Sequence, residues 1–324
     1  MKTQQELLEI VREELSRQSF NSDPENLFQP ISYTLSQGGK RLRPVLTLMT
    51  CEMLGGAIEE ALYPALGLEI FHNFTLIHDD ILDNAPLRRG KETVFKKWNA
   101  NIAILSGDTM FAIAYTYFFK TKEKHIIPIL NVFNDAVVDV CKGQQYDMDY
   151  ETSYDVSISD YIEMIRLKTA VLLGTCAKVG AVIAGAQEEN LSNVYNFAEK
   201  LGLAFQLKDD LLDLYGNETL FGKTTGGDIE SNKKTFLFLK ALEVADPHTR
   251  KELQELYAIR NTDPKQKIEK VKAIYEKLRI KELTEEAINT YYKEAVDRID
   301  ALSVQTENKE HMYHFARKLM ARQY

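Results

Sequence analysis

Apolar residues recur every three or four positions along nearly the whole chain, and this regularity restricts the fold more than any motif does. Leu7, Leu8, Val11 and Leu15 form one such stripe. The spacing predicts helices over 44–54 and 60–82, with Pro44 and Pro64 near their starts. Further helices are predicted over 100–120, 125–148, 158–185, 190–215 and 233–244, and again towards the C-terminus. β-Branched residues are mixed with Ala and Leu and do not alternate with polar ones, so no sheet is expected. The expectation is an all-α antiparallel helical bundle.

Of 324 residues, 44% are hydrophobic, enough for a large core. No Pro- or Ser-rich run divides the chain, so a single domain over 1–324 is expected. A formal net charge of −8, without a basic stripe, argues against nucleic acid as a partner. It does not exclude an anionic substrate, because bound metal ions reverse a local field. The polar start MKTQQELLEIVREEL is not expected to act as a signal peptide or anchor, and no apolar run reaches the ~18 residues of a membrane span. Cys51, Cys141 and Cys176 are too scattered for a disulfide framework or metal pair. They are expected to be small buried hydrophobes in a cytoplasmic protein.

Two acidic clusters stand out. Asp79, Asp80 and Asp83 lie in HDDILD, and Asp209, Asp210 and Asp213 in KDDLLD. Residues four apart share a helical face, so Asp79 sits beside Asp83 and Asp209 beside Asp213. Each cluster ends an apolar stretch, LGLEIFHNFTLI or LGLAFQL, and precedes a basic loop. Carboxylates crowded at the rim of a core repel one another and lose hydration. Hard oxygen donors without Cys or His suit magnesium, which keeps waters and accepts substrate phosphates. One DDxxD is weak evidence; its repetition in the same context is not.

Basic residues recur near these clusters. Lys40, Arg41 and Arg43 lie in GGKRLRP, Arg88 and Arg89 in LRRG, Lys168 and Thr169 in LKTA, and Lys223, Lys233 and Lys234 in the glycine-rich stretch 216–235. Arginine forks hold phosphate bidentately. The GKT at 222–224 is not a P-loop, because Gly216 is one residue too far away and an acidic helix precedes it. His72, seven residues before Asp79, shares its helical face, and His78 directly precedes the cluster.

Together these elements resemble the trans-isoprenyl diphosphate synthases, or polyprenyl synthetases, of the short-chain farnesyl and geranylgeranyl type. GGKRLRP at 38–44, HNFTLIHDDILD with LRRG at 72–90, KTA at 168–170, FQLKDDLLD at 205–213 and GKTTGGDI with KKT at 222–235 occur in that family's order and spacing. The resemblance implies a helical bundle around a central cavity. It implies magnesium-dependent condensation of isopentenyl diphosphate with dimethylallyl, geranyl or farnesyl diphosphate. It also implies a metal site of all six aspartates, with about three magnesium ions ligated by Asp79, Asp83 and Asp209, supported by Asp80 and Asp213, and with Asp210 in the same set. Arg88, Lys168, Thr169, Gln206, Lys223 and Lys233 would hold the allylic diphosphate. Lys40, Arg43, His72 and Arg89 would hold isopentenyl diphosphate. A homodimer is the family's usual assembly. The basic tail FARKLMARQY, with Arg317, Lys318 and Arg322, loosely resembles tails that help to close the site in some relatives.

Chain length of the product is expected to depend on Phe74 and Phe71, which share a face behind Asp79 and match the family's length-limiting position. At ~1.5 Å per residue, Phe74 lies ~7.5 Å below Asp79. Thr75, where many farnesyl synthases carry a ring, leans the expectation towards a twenty-carbon product within a fifteen- to twenty-carbon range. The alternatives are a longer-chain synthase, a terpene cyclase, a silent subunit of a heteromeric synthase or a helical metal-binding scaffold. A cyclase would normally carry a different second motif where DDLLD stands, a silent subunit would have lost an acidic motif, and a scaffold would not need RRG, KTA and FQ at these spacings.

Overall fold

Thr3 opens the first helix by a reciprocal cap: its hydroxyl accepts from Glu6 N–H, and the Glu6 carboxylate accepts from Thr3 N–H. The computed structural model describes residues 1–153, 155–216, 225–258 and 263–321. Helices dominate: α1 Gln4–Arg17, α2 Glu25–Ser36, α3 Leu42–Met53, α4 Ile58–Leu82, a short α5 Val94–Lys97, α6 Ala100–Phe118, α7 Glu123–Thr152, α8 Ile158–Ile165, α9 Val171–Ile183 and α10 Glu188–Tyr215. There follow α11 Gly227–Glu230, α12 Phe236–Val244, α13 Pro247–Ala258, α14 Pro264–Lys277, α15 Ile280–Asp300 and α16 Thr306–Met320. The all-α expectation holds, and no described helix is long and apolar enough to cross a membrane.

The chain divides into two compact units, 1–133 with 175–192 and 303–311, and 134–174 with 193–302 and 312–324. In the first, α4 is the central helix. Residues 64–71 of α4 are buried all round, against α3 and α6, which explains its weak amphipathicity. Arg41, in left-handed backbone before α3, sends its guanidinium into this core. It donates to Glu69 Oε1 on α4 and to Leu35 O at the end of α2, each at 2.6 Å. In the second unit, α8, α10, α12, α14 and α15 enclose a core that includes Tyr161, Leu203, Leu207, Phe236, Val271 and Ile288.

Several expectations are corrected. The break at 84–91 is a small hairpin, β1 Leu87–Arg88 against β2 Lys91–Glu92, with Arg89 and Gly90 both at positive φ. That is the two-residue turn suited to strand twist, though arginine is a rare occupant of left-handed backbone. Pro64 lies inside α4, which begins six residues earlier than the proline, at Ile58. The helix expected over 158–185 is interrupted at Arg166–Ala170 by a wide π-turn, closed by Val171 N–H donating to Arg166 O. Cys51 and Cys176 are buried as expected, but Cys141 is exposed, on the outer face of α7.

Breaking a buried ion pair leaves an uncompensated charge in the core. Arg41→Met or Glu69→Leu alone should cost about 3–5 kcal/mol in urea unfolding. The double variant should recover more than half of that loss, because apolar groups of similar volume then fill the site.

Candidate active site

Both aspartate clusters occupy the C-terminal ends of helices, Asp79–Asp83 on α4 and Asp209–Asp213 on α10. Outward-pointing carbonyls make such an end partly negative, so carboxylates there are disfavoured unless cations offset them.

In the first unit the cations come from the hairpin and from α3. Asp80 is buried, and its Oδ1 accepts from Arg88 Nε at 2.7 Å. Arg88 ends the strand and Arg89 begins the left-handed turn, and this change of backbone sends the two like charges in different directions. Arg88 faces the aspartates, while Arg89 donates to Gly38 O and its guanidinium lies over Gly39, where a Cβ would stand 3.0 Å from Cζ. Arg43 donates to His72 Nε2 at 3.0 Å. A guanidinium cannot accept, so His72 is neutral with its proton on Nδ1. Burial, then the charges of Arg43, Arg89, Arg88 and Arg41, hold His72 well below the usual histidine range. Burial and the neighbouring arginines also lower Arg89. Arg43, Arg88, Arg89 and His72 therefore form a crowded cationic nest, chemically fitted to a diphosphate. Lys40 is exposed at its edge in sequence, and Asp83 is exposed at the end of α4. His78 is structural: its ring meets Phe74 edge-on at 4.7 Å and lies against Gly107, where a Cβ would be 2.4 Å from Nε2.

The expected floor is a larger aromatic cluster. Phe71 is 1% exposed and Phe74 half-buried. Their centroids are 5.5 Å apart, and Phe111 of α6 lies 5.9 and 5.4 Å from them. Phe133 backs Phe71 at 5.0 Å. Phe111 was missed by the sequence reading, because only packing brings α6 to this face.

In the second unit, a cavity of about 270 Å³ is lined by Asp147, Asp209, Asp210, Asp213 and Asp228, with Lys168, Thr169, Gln206 and Lys233. Asp210 faces inward. Tyr161 donates to its Oδ2, Gln206 Nε2 donates to its Oδ1 at 3.1 Å, and Thr169 donates to Gln206 Oε1 at 3.3 Å. Burial, with Asp209 and Asp213 adding repulsion, pushes Asp210 up to about 7. Asp213 accepts from Asp228 N–H at 3.0 Å and so ties α11 to the end of α10. Asp228 is itself raised by burial and by Asp213 and Asp210. The adjacent lysines separate in role. Lys233 lines the cavity, whereas Lys234 donates to the carbonyls of Tyr150, Glu151 and Ser153 and so caps the end of α7. Lys168 donates to Asp147 at 2.6 Å. Lys223 and Arg322 lie outside the described residues.

Asp147, Tyr161 and Asp228 were not singled out from sequence. Asp228 stands in the quoted GGDI, and Asp147 lies four residues after Gly143 on α7. Among the described residues, no three His, Cys, Asp or Glu side chains enclose a metal ion by themselves. Crowded carboxylates that resist ionisation, arranged without a closed cage, fit a hard divalent ion completed by water and phosphate oxygens.

An all-α chain with acid-tipped helices, a guanidinium nest and a lysine-bearing π-turn is built as a prenyltransferase. A family model described as polyprenyl synthetase matches residues 24–278. A short chain isoprenyl diphosphate synthase of Methanocaldococcus jannaschii is 38% identical over 256 residues, 79% of this chain and 77% of the relative. A geranylgeranyl diphosphate synthase of Methanosarcina mazei is 37% identical over 222 residues, 68% of each chain. A crystal structure of a geranylgeranyl pyrophosphate synthase matches with a TM-score of 0.96 at 43% identity, covering 100% of both chains. The chain belongs to the polyprenyl synthetase family.

His72 carries a pH prediction. Its folded-state pKa is depressed, so its contribution is intact above the unfolded value near ~6.5 and is lost as pH falls below it. His72→Gln should lose less thermal stability than the parent between pH 7 and pH 5, measured by melting temperature without ligand.

Proposed function

We propose that this chain condenses isopentenyl diphosphate with an allylic diphosphate and releases an all-trans prenyl diphosphate of fifteen to twenty carbons, twenty being favoured. The observation that carries this reading is the pair of acid clusters, each at a helix C-terminus and each accompanied by phosphate-binding cations. One functional unit over 1–324 is proposed to use both clusters, in the cytoplasm and as a homodimer. Exposed Ile104 and Leu105 on α6 are apolar surface of the kind subunit contacts cover.

Asp79, Asp83 and Asp209 would hold magnesium, about three ions in all, beside Asp210. Bound magnesium supplies charge neutralisation for a departing diphosphate. The chain's own cations add to it: Arg88, held by Asp80, and Lys168, held by Asp147, with Lys233 and Lys223, receive the diphosphate as the allylic C1–O bond breaks. Thr169 and Gln206 orient its oxygens. Asp213 holds the segment that brings Asp228 and Lys233 to the cavity. Lys40, Arg43, Arg89 and neutral His72 hold isopentenyl diphosphate, His72 as a Nδ1–H donor without adding charge. The double bond of isopentenyl diphosphate attacks the allylic cation, and the released diphosphate takes the proton. Apolar walls exclude the water that would quench the cation. No side-chain nucleophile is needed.

Purified protein with magnesium, labelled isopentenyl diphosphate and a panel of primers should give a prenyl diphosphate ladder ending at twenty carbons. A chelator should stop it, and failure to consume isopentenyl diphosphate with any primer would refute the reading. Asp79→Asn or Asp209→Asn should lower kcat by about 10³-fold or more, equivalent to ~4 kcal/mol of transition-state stabilisation.

Phe74 and Phe71 separate by burial. Phe74→Ala should lengthen the product on chromatography. Phe71→Ala should mainly destabilise, by about 3–5 kcal/mol. An unchanged product from the Phe74 variant would remove it as the floor.

A further inference from the structure

The π-turn that carries Lys168 is gripped from both sides by the same device. On α7, Gly143 lets the backbone of Lys168 approach so closely that a Cβ would stand 2.3 Å from its N and 2.7 Å from its Cα. Four residues on, along the same face, Asp147 Oδ2 accepts from Lys168 Nζ at 2.6 Å. On α10, Gly202 faces the other flank, where a Cβ would lie 2.8 Å from Ala170 Cα. Four residues on, Gln206 Oε1 accepts from Thr169 at 3.3 Å. Each helix thus offers a glycine for the backbone of the turn and, one turn later, an acceptor for the side chain it carries. Arg166 fixes the start of the turn, donating to both oxygens of Glu163 and to Glu199 Oε1 at 2.9 Å.

A helix carries ~3.6 residues per turn, so relaxing the turn by one residue would swing Lys168 about 100° around the axis. We infer that Asp147 is a positioning residue: with Gly143 it selects the π-turn register and aims the Lys168 ammonium into the cavity at the allylic diphosphate. This rests on the function proposed above. Asp147 acts through Lys168, whose ammonium it holds. It sets where one cation stands, and the charge that develops on the leaving diphosphate is sensitive to that placement.

The test is a double-mutant cycle in the full chain. Asp147→Asn keeps the shape and loses the charge. It should lower kcat about 10- to 100-fold, the scale of an ångström-level misplacement, with KM for isopentenyl diphosphate within about twofold of the parent. Asp147→Glu, which restores the charge, should be intermediate. In a Lys168→Ala background, Asp147→Asn should have no further effect, which a general loss of structure would not produce. Matched melting curves for parent and Asp147→Asn confirm that folded proteins are compared. An active parent with an undiminished Asp147→Asn variant, or with losses that multiply, overturns the positioning role alone. A parent inert with every primer overturns the proposed function and this role with it. Gly143→Ala should lose at least as much turnover as Asp147→Asn, and full activity there would also count against the register argument.

Discussion

Carboxylates at the negative ends of two helices are the constraint around which the rest is arranged. Asp79–Asp83 closes α4 and Asp209–Asp213 closes α10, so repulsion among the acids adds to repulsion from the helix carbonyls. Burial makes this worse for Asp80 and Asp210, which are 4% and 6% exposed. The protein answers locally and unequally. Asp80 has Arg88, and Asp210 has Tyr161 and Gln206. Asp213 has a backbone N–H of α11. In the second unit burial and the neighbouring carboxylates still raise Asp210 and Asp228. Such a set of hard oxygen donors suits a divalent cation.

Much of this was legible in the sequence because it depends on local spacing. The helical period gave the all-α class, and four-residue offsets gave the shared faces of Asp79 with Asp83 and Asp209 with Asp213. What was missed depends on elements distant in sequence. Phe111 reaches Phe71 and Phe74 only because α6 packs along α4. Tyr161 reaches Asp210 across 49 residues. The π-turn was invisible because α9, which follows it, is buried on nearly every side, so no apolar stripe records the change of phase that one extra residue causes. The hairpin was missed because its strands are two residues each, too short to show alternation.

Neighbouring identical residues take different roles here, and composition cannot distinguish them. Arg88 turns to Asp80 while Arg89 turns to Gly38, and Arg41 is committed to Glu69 while Arg43 meets His72. Lys233 faces the cavity while Lys234 caps α7. For Arg41 with Arg43 and for Lys234 with Lys233, the first is tied into the scaffold and the second lies beside proposed substrate groups, whereas Arg88 and Arg89 are both proposed to meet substrate. The structural member limits how far the functional member can stray.

The same logic explains why so many of these groups stand on helix ends and turns. A cation that must meet a leaving group within an ångström is better aimed by rigid backbone than by a long flexible stem. Lys168, proposed for that role, is the clearest case: its own rotamers are many, but the turn that carries it is held between Gly143 at Lys168 and Gly202 at Ala170, at distances only glycine permits. Asp147 then removes freedom at the ammonium end. With both ends fixed, the intervening methylenes have few alternatives, so a flexible side chain can act with the directional precision usually associated with arginine.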